Sequence, residues 1–365
     1  MPRPSAEIEV AAAIARVDAR LTDFLSARRE LLCAAGPETA ALIDEATVAV
    51  AGGKRLRAAF CLAGWQAAGG RVDDDRAVCA SAALELLQAS ALVHDDLMDG
   101  SDTRRGRPAA HRAFEQRHLD AGWVGDPARF GTGSAILLGD LLLTWAHEAL
   151  RSSGFDAVTT DRAAPVFDAC TTEVTAGQYL DLVSQATGAS DEDLALRVVR
   201  FKSASYTVVR PLHLGAALAG AKGGLLGELA TYGEPVGIAY QLRDDVLGVF
   251  GDPEQTGKPA GDDLREGKRT VLLARTVERT DEAGRALLTR CVGDPALDPA
   301  AVNRLRELIV SSGALASIEQ TIAELEVQAG VALDAVVAAA TDPRGGTATR
   351  ATLETLTSAA LRRDR

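Results

Sequence analysis

The stretch LELLQASALVHDDLMDGSDTRRGRP occupies residues 84–108 and joins an apolar segment to a strongly charged one. Asp95, Asp96 and Asp99 stand at positions i, i+1 and i+4, and at about 3.6 residues per turn this spacing places their carboxylates on one edge of a helix. Three like charges this close repel one another unless a cation lies among them. Carboxylate oxygens favour Mg²⁺, which usually shares its coordination shell with the phosphates of a substrate.

The segment before these aspartates predicts a buried helix. Its apolar residues are Leu84, Leu86, Leu87, Ala89, Ala91, Leu92 and Val93. A helix that is apolar on nearly every side belongs in a protein core, so we expect its acidic end to face a cavity. The cationic run Arg104-Arg105-Gly106-Arg107 follows directly and is within reach of an anion held by the metal.

A second acidic pair lies far away in the sequence. Asp244 and Asp245 end an apolar helical stretch that begins at Val236. One acidic helix end alone is typical of a solvated terminus, but two of them favour a functional interpretation. We expect the two groups to face each other across a carboxylate-lined cavity that binds several metal ions.

Composition predicts an all-α protein. The 365 residues are 47% hydrophobic but only 4% aromatic, and alternating β-branched runs are few. We expect one domain over residues 1–365, because the candidate site draws on residues from Gly52 to Lys268. Residues Gln116–Thr132, rich in glycine and charge, are predicted to be irregular.

Charge and cysteine content limit the possible partners and compartments. The formal net charge of −12, without a long basic stripe, argues against a nucleic-acid partner. Five widely spaced cysteines without a CxxC pair indicate reduced thiols in the cytoplasm. No uncharged run approaches the roughly 18 residues of a membrane span, so we expect no integral membrane segment.

Several other segments carry groups that could contact an anion. They are Gly52–Arg57 (GGKRLR), Gly177-Gln178, Lys202, and the loop Gly251–Arg269 with Lys258 and Lys268. A glycine turn followed by basic side chains offers free backbone N–H groups and positive charge to an anion. For Gln178 an ordinary polar helix position fits equally well. A loop as long as 251–269 without apolar anchors is typical of a functional lid.

Other site chemistries fit less well. The five histidines lack metal-ligand spacing, and a histidine–aspartate phosphohydrolase would need more of them near the acidic pair. The remaining interpretation is metal-assisted handling of a diphosphate beside an apolar channel, in which cations neutralise charge on a leaving diphosphate.

These motifs, in this order, resemble those of the trans-isoprenyl diphosphate synthases, the polyprenyl synthetase family. The resemblance covers residues 45–275. It implies a bundle of mostly antiparallel helices around a deep central cavity, and a homodimer. Apolar residues at helical spacing independently predict an N-terminal helix over residues 6–32 and further helices over residues 276–361. It also implies head-to-tail transfer of an allylic prenyl group to isopentenyl diphosphate, with Mg²⁺ as the cofactor.

The resemblance assigns roles residue by residue. Magnesium ligands would be Asp95, Asp96, Asp99, Asp244 and Asp245. The allylic diphosphate would contact Arg104, Lys202, Gln241, Lys258 and Lys268, and the isopentenyl diphosphate would contact Lys54, Arg57 and Arg105, with Arg55, Gln88 and Gln178 as further substrate contacts. Asp95, Asp96, Asp99, Arg104, Lys202 and Asp244 form the predicted catalytic set. Apolar walls would exclude water from the allylic cation.

One departure concerns the second acidic motif, where Gly248 replaces the family's usual third aspartate. In the family, a bulky aromatic residue four or five positions before the first aspartate stops chain growth early. Here those positions are Ala91 and Ser90, with Leu87 and Leu84 further down, so we expect geranylgeranyl diphosphate. Alternatives are a farnesyl or longer product, a class I terpene cyclase, and a non-catalytic subunit of a heteromeric synthase.

Overall fold

The computed structural model describes residues 6–71, 73–188, 190–252, 261–341 and 343–361. Within these ranges the chain is helical, apart from one two-residue hairpin and the connecting turns. The α-helices are α1 (Ala6–Cys33), α2 (Ala40–Val50), α3 (Leu56–Ala67), α4 (Asp75–Met98), α5 (Ala110–Asp120), α6 (Pro127–Arg151), α7 (Ala157–Thr187), α8 (Glu192–Val198), α9 (Arg210–Leu218), α10 (Gly223–Phe250), α11 (Asp262–Glu266), α12 (Val271–Arg279), α13 (Glu282–Cys291), α14 (Pro299–Ser311), α15 (Ala314–Ala339) and α16 (Pro343–Leu361). A 3₁₀ turn spans Pro37–Thr39, and a π-helix spans Val199–Val209. Strands β1 (Thr103–Arg104) and β2 (Arg107–Pro108) pair antiparallel.

Helix starts follow from capping side chains. Asp74 accepts a hydrogen bond from the backbone N–H of Arg76 at the start of α4. Asp126 does the same for Ala128 at the start of α6, where Pro127 occupies the first turn. The prediction that residues Gln116–Thr132 are irregular is therefore wrong, because α5 extends to Asp120 and α6 begins at Pro127.

The chain divides into two compact units. The first unit consists of Met1–Val166, Pro211–Lys222 and Ala340–Leu356, and the second of Phe167–Arg210, Gly223–Ala339 and Thr357–Arg365. The prediction of a single domain stays a prediction.

Helix α4 is the core element of the first unit. It packs along α6 and against α3, and Leu84 and Leu86 are fully buried. The Ser90 hydroxyl donates a hydrogen bond of 2.7 Å to the carbonyl of Gly139 on α6. Among the described helices, α4 alone is long and apolar enough to cross a membrane, and 72% of its most apolar window is buried inside the protein.

The second unit is built around α10. This helix packs on α15 and on the π-helix, and its core includes Leu242, Val246, Leu264 and Ile318. Glycines allow close helix contacts, since a Cβ on Gly237 would lie 2.5 Å from the Cα of Ala204 in the π-helix. π-Helical segments occur frequently at functional sites, which draws attention to residues 199–209.

Candidate active site

The first aspartate motif forms the last turn of α4 in the first unit. The backbone N–H of Asp99 donates to the carbonyl of Asp95 over 2.8 Å, so the helical spacing persists to the end of the motif. The carboxylates of Asp95 and Asp96 are mostly buried, with 15% and 5% of each side chain exposed. Arg104 on β1 donates from Nε to Asp96 Oδ1 over 2.8 Å, and its Nη2 lies 3.7 Å from Asp95 Oδ2.

This motif fits magnesium through its donor chemistry. In the part of the chain that the structure describes, no three His, Cys, Asp or Glu side chains form a group that could hold a metal by themselves. Mg²⁺ does not require such a group, since it is usually bound by one or two carboxylates together with substrate phosphates and water. Asp95 and Asp99 are one turn apart at the end of α4, and their carboxylates are of the kind that could hold Mg²⁺ in this way.

A turn beside this motif gathers several arginines. Gly52 and Gly53 have φ angles of 73° and 89°. Among the described residues, the non-glycines with positive φ are Arg55 at 51° and Arg105 at 52°. A left-handed backbone at a large side chain costs about 1–3 kcal/mol and is typical of functional sites.

Arg105 reaches back to the glycine turn. Its Nη1 donates to the carbonyl of Ala51 over 2.5 Å, and a Cβ on Gly53 would lie 2.9 Å from its Nη2. Burial lowers the pKa of Arg105, and the charges of Arg55, Arg104 and Arg57 lower it further. Cations held this close together favour a bound anion. The charges of Arg57 and Arg104 are thus close enough to act on Arg105, and the roles of these arginines as substrate contacts stay predictions.

Arg55 has a different environment. It is 7% exposed, donates to Asp18 Oδ1 over 2.8 Å and to the carbonyl of Val50 over 2.7 Å, and its Nη1 lies 3.4 Å from Glu85 Oε2. Glu85 also accepts the backbone N–H of Ala58 over 3.1 Å. These contacts fix the turn, and Arg55 as a substrate contact stays a prediction. Glu85 is an acid within an otherwise apolar helix, a pattern that could have indicated a buried cation beside it.

The predicted chain-length residues lie along α4. Leu84 and Leu87 are buried, with 0% and 3% exposure. Ser90 is bonded to α6 as described, whereas Ala91 and Gln88 are half-buried. Ala91 is therefore the more accessible of the two positions before the motif.

The second acidic motif lies on α10 in the second unit. Asp245 is 5% exposed and accepts a hydrogen bond of 2.7 Å from Gln241 Nε2, while Ser203 in the π-helix donates to Gln241 Oε1 over 2.5 Å. Burial, opposed by the hydrogen bond from Gln241 and supported by the charges of Asp263 and Asp244, raises the pKa of Asp245 to about 8. A metal bound to this carboxylate would release its proton.

Lysines in the second unit are tethered by acids. Lys202 lies in the π-helix and its Nζ is 2.7 Å from Asp181 Oδ2. A Cβ on Gly177 would lie 2.3 Å from the backbone nitrogen of Lys202, so α7 and the π-helix touch here. The Nε2 of Gln178, beside that contact, is buried and has no hydrogen-bond partner within the described ranges.

Lys268 is held in a similar way. Its Nζ lies 2.8 Å from Glu266 Oε2 and 3.6 Å from Asp263 Oδ1. Asp181 and Glu266 had no predicted role, although Asp181 closely follows Gln178 in the sequence and Glu266 closely precedes Lys268. Lys258 lies outside the described residues.

Comparisons with known proteins agree on the family. The profile of the polyprenyl synthetases matches residues 40–309. A short chain isoprenyl diphosphate synthase of Methanothermobacter thermautotrophicus is 32% identical over 73% of this chain and 75% of its own. A geranylfarnesyl diphosphate synthase of Aeropyrum pernix is 34% identical over 73% and 78%.

A solved structure is similar over nearly the whole chain. It is geranylgeranyl pyrophosphate synthase from Corynebacterium glutamicum, complexed with isoprenyl diphosphate and magnesium. Its TM-score to this chain is 0.88 at 39% sequence identity, covering 96% of this chain and 98% of that one. The all-α fold predicted from composition is confirmed.

Proposed function

This chain belongs to the polyprenyl synthetase family and is a trans-isoprenyl diphosphate synthase, and we propose that it makes geranylgeranyl diphosphate in a magnesium-dependent reaction. The enzyme condenses isopentenyl diphosphate head to tail with an allylic diphosphate. The observation that carries the proposal is the acidic end of α4, where Asp95 and Asp96 lie beside Arg104 on a helix that contains no Phe, Tyr or Trp.

Magnesium binding is proposed for both acidic motifs. In the first unit the ligands are Asp95, Asp96 and Asp99, and in the second they are Asp244 and Asp245. The solved structure from Corynebacterium glutamicum contains magnesium, which supports this cofactor. Bound magnesium would neutralise negative charge that develops on the departing diphosphate.

The cationic side chains divide by substrate. We assign Lys54, Arg57 and Arg105 to isopentenyl diphosphate, because Arg105 and the Gly52-Gly53 turn gather positive charge around a strained backbone. The groups assigned to the allylic diphosphate are Arg104, Gln178, Lys202, Gln241, Lys258 and Lys268. The buried Nε2 of Gln178, for which the described residues offer no partner, supports its inclusion.

The side chains act mainly by position and charge. The ion pairs of Arg104 with Asp96 and of Lys202 with Asp181 hold these cations in fixed orientations before substrate binds. When the allylic C–O bond breaks, its electron pair leaves with the diphosphate. The double bond of isopentenyl diphosphate then attacks the allylic cation, and a proton is lost to the released diphosphate.

Product length follows from the residues on α4. Ala91 lies about one turn before Asp95, Leu87 about two turns and Leu84 about three, at depths of about 6, 12 and 16 Å for a rise of about 1.5 Å per residue. Because no side chain at these positions is aromatic, we propose that a tail longer than fifteen carbons can pass them. The related proteins named above differ in product, so the family alone does not set this length.

We also propose a cytoplasmic homodimer. Helix α6 exposes the apolar side chains of Ile136 and Leu137, which are 45% and 61% exposed in the single chain. Exposed aliphatic side chains side by side on a helix are typical of a surface that another subunit covers.

Product chromatography tests the function. The protein is incubated with Mg²⁺, isopentenyl diphosphate and allylic primers of five, ten or fifteen carbons, with a parallel reaction in excess chelator. We expect a twenty-carbon diphosphate from each primer and none in chelator. A main product of fifteen carbons, or of twenty-five or more, would overturn the assigned length, and turnover in chelator would overturn the metal requirement.

A further inference from the structure

We propose that Glu173 on α7 is a positioning residue, which fixes the π-helical register of residues 199–209 and thereby the position of Lys202. The inference rests on the proposed function, in which Lys202 contacts the allylic diphosphate. It goes beyond that function by assigning a role to Glu173 and to its partners Ser205 and Arg210, which lie outside the motifs found in the sequence.

The carboxylate of Glu173 binds two side chains at the end of the π-helix. Its Oε2 accepts a hydrogen bond from the hydroxyl of Ser205 and another of 2.9 Å from Nε of Arg210, and its Oε1 accepts one from Nη2 of Arg210. Only 21% of the Glu173 side chain and 27% of the Arg210 side chain are exposed. A carboxylate and a guanidinium joined by two such bonds form one of the stronger and more directional side-chain contacts in proteins.

The spacing of these two partners depends on the π register. The backbone N–H of Arg210 donates to the carbonyl of Ser205, five residues earlier, which is the hydrogen bond that defines a π-helix. In an α-helix, positions five residues apart lie roughly 140° apart around the axis, since each residue turns by about 100°. The wider turn brings Ser205 and Arg210 to one side, where a single carboxylate reaches both. The contacts of Glu173 therefore favour the π register over the α register.

Glu173 also belongs to a stripe of α7 that runs along the π-helix. Glu173, Gly177 and Asp181 are four residues apart, and positions at this spacing share one face of an α-helix. A Cβ on Gly177 would lie 2.7 Å from the Cα of Lys202, so the lysine backbone is pressed against α7. One turn further along the same face, Asp181 holds the Nζ of Lys202 at 2.7 Å. The stripe thus fixes the register, the backbone and the charged end of Lys202 at three successive turns.

Loss of this register should release Lys202. When a helical segment slips by one residue, each side chain moves about 1.5 Å along the axis and about 100° around it. The side chains of Lys202 and Asp181 are only 22% and 10% exposed, so a displaced lysine exchanges a shielded contact for solvent. A cation displaced in this way no longer meets an anion in the fixed orientation on which stabilisation by charge depends.

Acetylation of Lys202 measures its tether without any substrate. The full chain is treated briefly with acetic anhydride, and the modified fraction of each lysine is determined by mass spectrometry. The reagent reaches accessible amines, so a lysine held on a buried carboxylate reacts slowly. Lys222 is exposed and serves as the internal reference in every variant. Asp181→Asn, which removes the tether directly, gives the acetylation rate of a released Lys202.

Three further variants isolate the role of Glu173. Glu173→Gln keeps the shape of the side chain but removes its charge and one acceptor. Ser205→Ala removes one hydrogen bond to the same carboxylate. Arg200→Gln is the matched control, because Arg200 lies in the same π-helix and pairs at 3.0 Å with Glu234, through side chains that are 57% and 40% exposed.

We expect Glu173→Gln to raise the acetylation rate of Lys202 about tenfold, the usual magnitude for a lost hydrogen bond to a charged group. With Mg²⁺, the KM for the allylic diphosphate should rise by a similar factor. The KM for isopentenyl diphosphate should stay within about twofold of the wild type, because other cations, of the first unit, are assigned to it. Ser205→Ala should give a smaller shift in the same direction, and Arg200→Gln should give none.

Unchanged acetylation of Lys202 in a folded Glu173→Gln variant overturns the inference, and a lower Tm with unchanged acetylation would mean that Glu173 only stabilises the fold. If Glu173→Gln does not fold, Ser205→Ala carries the same test. A wild type that forms no product refutes the proposed function, while the acetylation result still decides the role of Glu173. Faster acetylation with both KM values unchanged supports the positioning role and overturns the assignment of Lys202 to the allylic diphosphate.

Discussion

Arg55 and Arg105 share a left-handed backbone but differ in what surrounds their charge. Arg55 is buried against the carboxylates of Asp18 and Glu85. Arg105 bonds to a backbone carbonyl, and other arginines lower its pKa in addition to burial. The first arginine is neutralised inside the protein, and the second adds to a local positive charge. We therefore assign the first to the stability of the turn and the second to anion binding.

Exchanging each arginine for glutamine separates these roles. Arg105→Gln should raise KM for isopentenyl diphosphate at least tenfold with little change in thermal stability. Arg55→Gln should lower the free energy of unfolding by about 3–5 kcal/mol, because Glu85 would remain buried without its cation. Kinetics and urea unfolding on both variants provide the comparison, and the reverse pattern would contradict the assignment.

Removal of a carboxylate from the first motif is the direct test of its function. Asp95→Ala should abolish turnover without unfolding the protein, since it removes a magnesium ligand and also relieves repulsion within the motif. Asp102→Ala is the control, because Asp102 pairs with Arg112 at an exposed position. Near-normal turnover of Asp95→Ala at ordinary Mg²⁺ would disprove the role of the motif.

His111 should make stability depend on pH. Burial lowers its pKa below the ordinary value of 6.5, with help from Arg112 and against the charges of Asp96, Asp102 and Glu115. The unfolded chain takes up a proton near pH 6.5 and the folded chain only at lower pH, so this stability is present above 6.5 and is lost as pH falls. Thermal melts at pH 8 and pH 5.5 should show a smaller loss of Tm in His111→Gln than in the wild type. Equal losses would show that His111 does not contribute.

At the scale of elements, apolar periodicity predicted the helices that bury a face, and local caps explain what it missed. Helix α4 is the predicted buried helix, and its apolar run ends at the aspartates. Helix α5 has few apolar side chains, so its pattern resembled a loop. The Asp126-Pro127 pair is typical of a helix start and indicates the beginning of α6. Gly131 and Gly133, which are poor helix formers, favoured an irregular segment instead.

Glycine also sets how closely α3 and α9 approach. A Cβ on Gly215 would lie 1.7 Å from the carbonyl oxygen of Cys61, and one on Gly64 would lie 2.0 Å from that of Leu212. Backbone atoms cannot move aside as a side-chain tip can. The sequence does not predict this close contact between α3 and α9, because the residues involved are about 150 positions apart in the chain.

Alanine at this crossing should destabilise the protein. Gly215→Ala forces the two helices apart and should cost about 3 kcal/mol, the upper end of the usual cost of overpacking. Gly330→Ala on α15 is the control, since nothing lies within 4 Å of its Cβ position. That change should stabilise by about 0.5–1 kcal/mol through helix propensity. Urea unfolding should show the two shifts with opposite signs, and equal shifts would refute the packing argument.

At the scale of the whole molecule, the acidic and basic motifs identified the reaction, because each is contiguous in sequence. The partners that hold them could not be predicted in the same way. Glu85 for Arg55, Asp181 for Lys202 and Ser203 for Gln241 each come from another turn or helix. Their separation in sequence follows no period, so only the fold brings them together.

Product length is a property of the whole molecule, and the contacts of α4 decide which of its positions is the better one for a test. Ser90 donates to the carbonyl of Gly139, so Ser90→Phe would push against α6 and should lower Tm. Ala91 is half-buried one turn before Asp95, and a phenylalanine there would extend into the proposed path of the tail. We expect Ala91→Phe to fold normally and to shift the main product from twenty carbons to fifteen or fewer, because the ring fills the upper channel sterically. Ala91→Ser, which keeps a small side chain, should still give twenty carbons. Chromatography of the dephosphorylated products compares the three proteins with the wild type. A twenty-carbon main product from a well-folded Ala91→Phe variant would mean that the growing tail does not pass this face of α4.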